Sequence, residues 1–210
     1  MGIITALRVN DKKKRVSVFI DGSFSFTVVE EVAATAGLKV GHHLLEEQII
    51  QLKQDSIFKT CLEAALHYLG YRPRSEAEIR QRLHRRGFNN EVVDEVIVCL
   101  RERGLIDDLA FAHYWKDDRL SFSPRSSRLI KLELRQKGVN IETANEAVED
   151  LDDEIAAYEA GLKKAKVLSS LEYNEFNRRL SGYLRRRGFD YGTVRSTVER
   201  LWEDKQIESV

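Results

Sequence analysis

The side chains that could do chemistry in this sequence are mainly arginines and lysines, and they cluster ahead of three regularly spaced glycines. These glycines are Gly87, Gly138 and Gly188. Guanidinium and ammonium groups bind phosphate oxygens and carboxylates, so such clusters are typical of surfaces that contact nucleic acid or an acidic protein. The candidate contact residues are Arg82, Arg85, Arg86, Arg125, Arg128, Lys131, Arg135, Lys137, Arg178, Arg179, Arg185, Arg186 and Arg187.

The second cluster gives the best-defined candidate surface. Arg128, Lys131 and Arg135 are spaced three and four residues apart, so they share one face of a helix. Ile130 and Leu134 fall on the opposite face. Two interpretations stay open, namely a face that contacts a partner and a face that is merely solvated.

The distribution of charge is more informative than its sum. The chain has 34 Lys and Arg against 34 Asp and Glu, a balance that by itself argues against nucleic-acid binding. However, residues 125–139 carry five bases and one acid, whereas residues 140–152 carry five acids and no base. The other repeats follow the same trend. Either neighbouring helices pair through salt bridges, or a basic stripe is presented repeatedly to an anionic partner.

The remaining reactive residues form no catalytic or metal-binding pattern. The cysteines lie among apolar helical neighbours, which predicts buried free thiols, and neither has a zinc-ligand partner at the usual spacing. The adjacent histidines predict a loop or surface position, and the adjacent aspartates predict helix caps. We therefore expect no enzymatic activity, no cofactor and no metal site. The residues considered are Cys61, Cys99, His42, His43, Asp107 and Asp108.

A repeated helix ending positions the basic clusters. The sequence Leu-His-Arg-Arg-Gly-Phe at 83–88 returns as Leu-Arg-Gln-Lys-Gly-Val at 134–139 and as Leu-Arg-Arg-Arg-Gly-Phe at 184–189, with glycines 51 and 50 residues apart. Each copy predicts a helix C-terminus that places glycine in the left-handed conformation. Apolar residues continue at helical spacing after each glycine, so each repeat contains a helix-turn-helix with room for one more helix.

Residues 3–29 differ from the repeats because their apolar residues alternate with period two. This pattern predicts a three-stranded antiparallel meander with a hairpin turn at Asp21-Gly22. The hairpin tip Lys12–Arg15 could contact phosphate or simply keep the turn soluble. Short helices follow, the second ending at Leu52. This module either packs on the first repeat or forms a semi-independent domain with a flexible joint near residues 53–56.

We therefore predict a mainly α protein with three tandem three-helix, helix-turn-helix-like repeats in an elongated array, preceded by a small β-meander with short helices. Aromatic residues at Phe111, Tyr114 and Trp115 are expected in the core rather than in a base-stacking platform. The sequence shows no leader pattern and no membrane-spanning apolar run, so we expect a cytoplasmic protein without membrane contact. The predicted domains are 1–55 for the N-terminal module, then 56–106, 107–152 and 153–206 for the repeats.

Several short sequence motifs, in order and with consistent gaps, resemble the RecX family of regulatory proteins. The resemblance covers about residues 57–204, and residues 1–50 are similar to an N-terminal extension of longer members. The motifs are Ala-Leu-His-Tyr-Leu at 65–69, Arg-Ser-Glu-Ala-Glu-Ile at 74–79, Gly87-Phe88, Gly-Leu-Ile-Asp-Asp at 104–108, Phe111-Ala112, Arg119 and Leu-Arg-Gln-Lys-Gly-Val at 134–139.

The resemblance implies a non-enzymatic protein that binds the RecA recombinase filament and modulates it in DNA repair, homologous recombination and the SOS response. Family members usually inhibit its ATPase and strand exchange, and we expect the same for its coprotease activity. Implied partners are the RecA filament and single-stranded DNA, with duplex DNA left open, and we expect a monomer. The alternative is a stand-alone helix-turn-helix DNA-binding protein. A hydrolase or nuclease is a third, weaker class.

Overall fold

The computed structural model describes residues 2–208, which form an N-terminal β-sheet followed by helices. These residues divide into two compact units. The first comprises the chain up to Arg72 together with Ile79–Leu105, and the second comprises Pro73–Glu78 together with the chain from Ile106 onward. Among the described residues, none of the helices combines the length and apolar character needed to cross a bilayer.

The predicted meander is confirmed, and a short fourth strand extends it. All neighbouring strands are antiparallel, in the order β3-β2-β1-β4. Val16 and Val18 alternate into the core of this sheet, and Asp21 and Gly22 take the positive φ angles of 50° and 84° that a tight hairpin turn requires. The strands are β1 (Gly2–Asn10), β2 (Arg15–Ile20), β3 (Ser23–Val29) and β4 (His43–Leu44).

A short helix, α1 (Glu30–Thr35), leads to the long helix α2 (Glu46–Leu69). The expectation that a helix ends at Leu52 is wrong, and so is the alternative in which residues 53–56 form a flexible joint. Residues 53–56 lie inside one continuous helix of 24 residues. Leu52 and Ser56 are both buried, so this part of the helix is held by packing.

The N-terminal sheet packs on α2, which is the first of the two alternatives that the sequence left open. The hydroxyl of Ser56 accepts the backbone N–H of Val29 at 2.9 Å, and Arg15 donates to the hydroxyl of Thr60 at 3.3 Å. Lys59 also pairs with Glu31 at 2.7 Å. The sheet and the helix that opens the first repeat are therefore one packed body.

Eight further helices complete the three predicted repeats. Gly87, Gly138 and Gly188 end the middle helices with φ angles of 89°, 82° and 90°, as the sequence predicts. Helices α2 to α4 form the first repeat, α5 to α7 the second and α8 to α10 the third. Their bounds are α3 (Glu76–Arg85), α4 (Asn90–Glu102), α5 (Asp108–Phe122), α6 (Ser127–Gln136), α7 (Ile141–Glu146), α8 (Asp153–Val167), α9 (Tyr173–Arg186) and α10 (Tyr191–Glu208).

The second and third repeats have separate apolar cores. Phe111, Ile130 and Leu134 are buried in the second, which agrees with the prediction that Phe111 is a core residue. Trp115 packs at the edge of this core, while Tyr114 is 38% exposed. The third core is built from α8, α9 and α10, and its largest fully buried side chains are those of Phe176, Leu180 and Leu184.

In the second unit, the start of α3 is held against the turn that ends α6. Ser75 is fully buried, and its hydroxyl donates to the carbonyl of Lys137 at 2.5 Å and accepts the N–H of Glu78 at 3.2 Å. The N–H of Glu76 donates to a carboxylate oxygen of Asp108 at 2.9 Å. At this helix start, the N–H of Glu76 is therefore bound by a group from the following repeat, and the N–H of Glu78 by the preceding Ser75.

The start of α6 meets the turn that ends α9 in the same way. The N–H of Ser126 donates to the carbonyl of Arg187 at 3.0 Å, and the N–H of Ser127 donates to the carboxylate of Asp153 at 2.7 Å. The Arg187 guanidinium donates to the carbonyl of Pro124 at 3.0 Å. We call these two contact regions the helix–turn joints, the first at Lys137–Gly138 and the second at Arg187–Gly188.

The glycines of the joints are needed for close approach as well as for their backbone angles. A Cβ on Gly138 would lie 2.2 Å from Cβ of Ala77, and one on Gly188 would lie 2.6 Å from Cβ of Leu129. Such distances leave no room for a methyl group. Around Gly87, by contrast, nothing among the described residues lies within 4 Å of the added atom.

This difference gives a test of the joints. Gly87→Ala should cost about 1–2 kcal/mol of unfolding free energy, because only the positive φ is penalised. Gly138→Ala has the same backbone cost and also introduces a steric clash, so its unfolding free energy should fall by roughly 1–3 kcal/mol more. Urea unfolding followed by circular dichroism measures both variants. Equal losses in the two variants would contradict the joint geometry.

Candidate interaction surface

Helices α6 and α7 enclose an open groove of about 530 Å³. Three cationic side chains, Arg128, Lys131 and Arg135, line it together with apolar side chains. Leu132 and Ile141 are each 50% exposed there and add apolar surface to the lining. We call this surface the α6–α7 groove. Its lining residues are Arg128, Leu129, Lys131, Leu132, Arg135, Ile141, Ala144 and Asn145.

The local sequence explains why the groove forms. Ser126 caps α6 by accepting the N–H of Leu129 at 3.2 Å, and Asn140 caps α7 by accepting the N–H of Thr143 at 2.8 Å. Ile130 and Leu134 are fully buried on the core side of α6. The predicted shared face of Arg128, Lys131 and Arg135 is therefore confirmed as geometry, while its role in contacting a partner stays a prediction.

The cations of the groove are available for intermolecular contacts. Within residues 2–208, no carboxylate forms an ion pair with Arg128, Lys131 or Arg135. Arg128 and Arg135 are exposed and Lys131 is half-buried. Their charges are thus not neutralised by the acidic residues that follow in the sequence.

Some of the alternating charge in the sequence does form salt bridges between neighbouring elements. Arg80 of α3 pairs with Asp94 of α4 at 2.5 Å. The buried ammonium of Lys116 pairs with Asp150 at 2.7 Å, and this hydrogen bond and charge lower the pKa of Asp150. The salt-bridge interpretation therefore applies to these residues, while a basic stripe presented to an anionic partner stays a prediction.

A carboxylate network beside the groove accounts for Arg125. Glu133 is 12% exposed and accepts hydrogen bonds from Trp115 and Arg119, both at 2.8 Å, and from Arg125. Burial, followed by the nearby charges of Arg119 and Arg187, lowers the pKa of Arg125 from its ordinary value. Arg125 is therefore part of the framework that fixes the start of α6.

Two other candidates, Lys137 and Arg187, also make internal contacts. The ammonium of Lys137 pairs with Glu78 at 2.9 Å and lies 4.6 Å from the ring centroid of Trp115. Arg187 lies 4.5 Å from the ring centroid of Tyr183 in addition to its contact with the carbonyl of residue 124. These cations belong to the helix–turn joints.

The third-repeat candidates on α9 are exposed. Arg178 and Arg179 both pair with Glu175, at 2.7 Å and 2.5 Å, and these hydrogen bonds lower the pKa of Glu175 to about 2. Arg185 and Arg186 are also exposed. The α9 cluster, defined by these four arginines, presents charge over fully buried apolar residues.

The first-repeat candidates lie in the first unit. Arg85 and Arg86 are exposed at the end of α3, and the Arg82 guanidinium lies 5.6 Å from the ring centroid of Tyr68. At the hairpin tip Lys12–Arg15, the three lysines are exposed, whereas Arg15 is held by its contact with α2.

Sequence reasoning missed the apolar part of the groove, although a signal was present. Leu132 lies two residues from both Ile130 and Leu134, so on a helix it faces away from the buried stripe that they form. Ile141 likewise falls outside the apolar positions shared by the three repeats. Large apolar residues on the polar side of amphipathic helices could have marked this surface.

The other reactive residues take structural positions. Burial raises the pKa of the Cys61 thiol to about 11, which makes it a poor nucleophile, and Cys99 is half-buried. Asp107 caps α5 by accepting the N–H groups of Leu109 and Ala110. In the part of the chain that the structure describes, no three His, Cys, Asp or Glu residues gather to hold a metal ion.

The Glu133 network can be tested against a matched carboxylate that also binds two arginines. Glu133→Gln leaves the partly buried guanidinium of Arg125 without its counter-charge and leaves Arg119 with Asp118 alone, so we expect a loss of about 1–3 kcal/mol of unfolding free energy. Glu175→Gln removes an exposed carboxylate and should change stability little. Urea unfolding compares the two variants. A larger loss for Glu175→Gln would contradict the structural role assigned to Glu133.

Protein-family models match the N-terminal sheet and each of the three repeats. The family model of the RecX N-terminal domain matches residues 2–44. The family models of the first, second and third RecX three-helix domains match residues 61–98, 107–148 and 152–198. A crystal structure of a regulatory protein RecX covers 95% of this chain and is itself fully covered, with a TM-score of 0.71 at 23% identity, which shows the fold. The crystal structure of RecX from Lactobacillus salivarius covers 69% of this chain and is 96% covered, with a TM-score of 0.61 at 25% identity.

Curated relatives carry the same family name. Regulatory protein RecX of Prosthecochloris aestuarii is 36% identical over 70% of this chain and 97% of its own length. Regulatory protein RecX of Listeria monocytogenes serotype 4a is 32% identical over 79% of this chain, but the aligned region spans only 62% of that protein, less than two thirds of its length. The four family models and these relatives together show that the chain belongs to the RecX family of regulatory proteins.

Proposed function

We propose that this protein binds the RecA recombinase filament and inhibits its ATPase, strand-exchange and coprotease activities. The family is one of regulatory proteins, as the names of its curated members state. The observation that carries the proposal is the α6–α7 groove, where Arg128, Lys131 and Arg135 have no ion-pair partner among the described residues and surround exposed apolar side chains. Unneutralised charge beside apolar surface suits recognition of another macromolecule.

A RecA filament on DNA offers both protein surface and phosphate, and the chain has surfaces for both. The α9 cluster is the candidate for phosphate, because its four arginines are exposed above buried apolar residues. Tyr191 lies beside Arg185, 69% exposed and 5.9 Å from the guanidinium, and could stack on a nucleotide base. Arginine with an exposed aromatic ring is a common arrangement for single-stranded nucleic acid.

In this proposal the protein acts in the cytoplasm as a non-enzymatic monomer. Its effect on RecA comes from occupying filament surface, so no covalent step is involved. The alternative is a stand-alone DNA-binding protein, which is favoured by the helix-turn-helix form of the repeats and by the α9 cluster. The two proposals differ in whether RecA is required.

The decisive experiment measures RecA ATPase on single-stranded DNA with increasing amounts of this protein. We expect inhibition at concentrations where the protein alone binds duplex DNA weakly. Tight duplex binding without any effect on the ATPase would support the stand-alone DNA-binding protein instead. Affinity for bare DNA should fall steeply with salt, because phosphate contacts release counterions.

The triple variant Arg128→Ala, Lys131→Ala, Arg135→Ala should inhibit RecA about tenfold to a hundredfold less effectively, because each of the three lost charge contacts is worth about 0.5–1 kcal/mol. Its helical circular dichroism should be unchanged, since these side chains hold no internal ion pair in the described chain. The control is Lys163→Ala, Lys164→Ala, Lys166→Ala on α8, which removes the same charge from another surface. Equal loss of inhibition in both triple variants would show that net charge alone matters.

A further inference from the structure

We infer that the α6–α7 groove binds an amphipathic helix of a protein partner, with acidic residues along one edge, rather than a nucleic-acid backbone. This inference rests on the proposed function and adds to it by naming what the groove recognises. The groove then contacts the recombinase protein itself, and another surface of the chain contacts DNA.

The apolar floor is the first reason. Leu132 and Ile141 are half exposed in the groove, and Leu129 and Ala144 extend the apolar lining. Contact with apolar surface stabilises a phosphate–sugar backbone little. An apolar helix face is stabilised by such contact, because each side chain that leaves water makes binding more favourable. The volume of about 530 Å³ is large enough to receive side chains from such a stripe.

The placement of charge in the groove is the second reason. The three charged residues of the lining, Arg128, Lys131 and Arg135, all come from α6, whereas α7 contributes Ile141, Ala144 and Asn145. A phosphate backbone carries negative charge along its whole length and has no apolar face to place against α7. A helix with acids along one edge can place those acids toward α6 and its apolar residues toward α7.

The spacing of the cations is the third reason. Arg128 and Arg135 are seven residues apart on α6, a rise of about 10.5 Å along the helix axis. This distance equals two turns of a partner helix, which would present acids at matching intervals of three and four residues. The α9 cluster has the same seven-residue spacing between Arg178 and Arg185, but Arg178 and Arg179 pair with Glu175, and both leucines of α9 are fully buried.

The test separates apolar contacts from charge. The variant Leu132→Ser, Ile141→Ser keeps every cation and replaces only half-exposed side chains, so the fold should be retained. Inhibition of RecA ATPase should weaken about tenfold, while binding to a fluorescent oligothymidine should change less than about twofold. If oligothymidine binding weakens as much as inhibition, the groove is a nucleic-acid site and the inference is wrong. If folding is disturbed, the single variant Leu132→Ser provides the same comparison.

A second arm does not depend on RecA. A synthetic helical peptide with leucine on one stripe and glutamate along one edge should bind the full chain, measured by fluorescence anisotropy. The Leu132→Ser, Ile141→Ser variant should bind it about tenfold more weakly, and a peptide with lysine in place of glutamate should not bind. Failure of the wild-type chain to affect RecA would overturn the proposed function, whereas equal binding of both peptides, or of neither, would overturn the assignment of the groove.

Discussion

The second unit depends on a close approach between the start of one helix and the glycine turn that ends another. At both helix–turn joints, a Cβ in place of the glycine hydrogen would overlap a neighbouring side chain. The close approach brings buried serines within hydrogen-bond distance of the carbonyls of Lys137 and Arg187. Helix-end donors that would otherwise need water are thereby bound by the following repeat. The glycine is required twice, once for its backbone angle and once for its missing side chain.

The joints also determine which cations remain free for a partner. The basic residue just before each glycine occupies the same position in all three repeats, yet Lys137 and Arg187 are held inside joints while Arg86 is exposed. Glu133 similarly holds Arg125. What remains open on α6 is the set of cations that borders the groove. The surface that we propose for partner binding therefore consists of cations that form no ion pair within the described chain.

Local features of the fold could be predicted from the sequence because they depend on neighbouring residues. The helix ends at the three glycines, the cap at Asp107 and the hairpin at Asp21-Gly22 all follow from short motifs. The continuity of α2 could not be predicted, because it depends on packing between Ser56 and a strand 27 residues earlier. The same is true of Ser75 and Lys137, which are 62 residues apart. The shared face of the α6 cations could be predicted from their helical spacing. The apolar lining of the groove could not, because it also depends on where α7 lies.

We propose that a RecA filament engages this protein through the groove between α6 and α7, which is apolar and carries its cations on α6. Hydrogen–deuterium exchange of the protein, alone and bound to RecA on single-stranded DNA, tests this proposal. We expect backbone amides of residues 127–146 to gain protection on binding, more than those of the N-terminal sheet. Protection confined to the N-terminal sheet or to α9, with residues 127–146 unchanged, would contradict it.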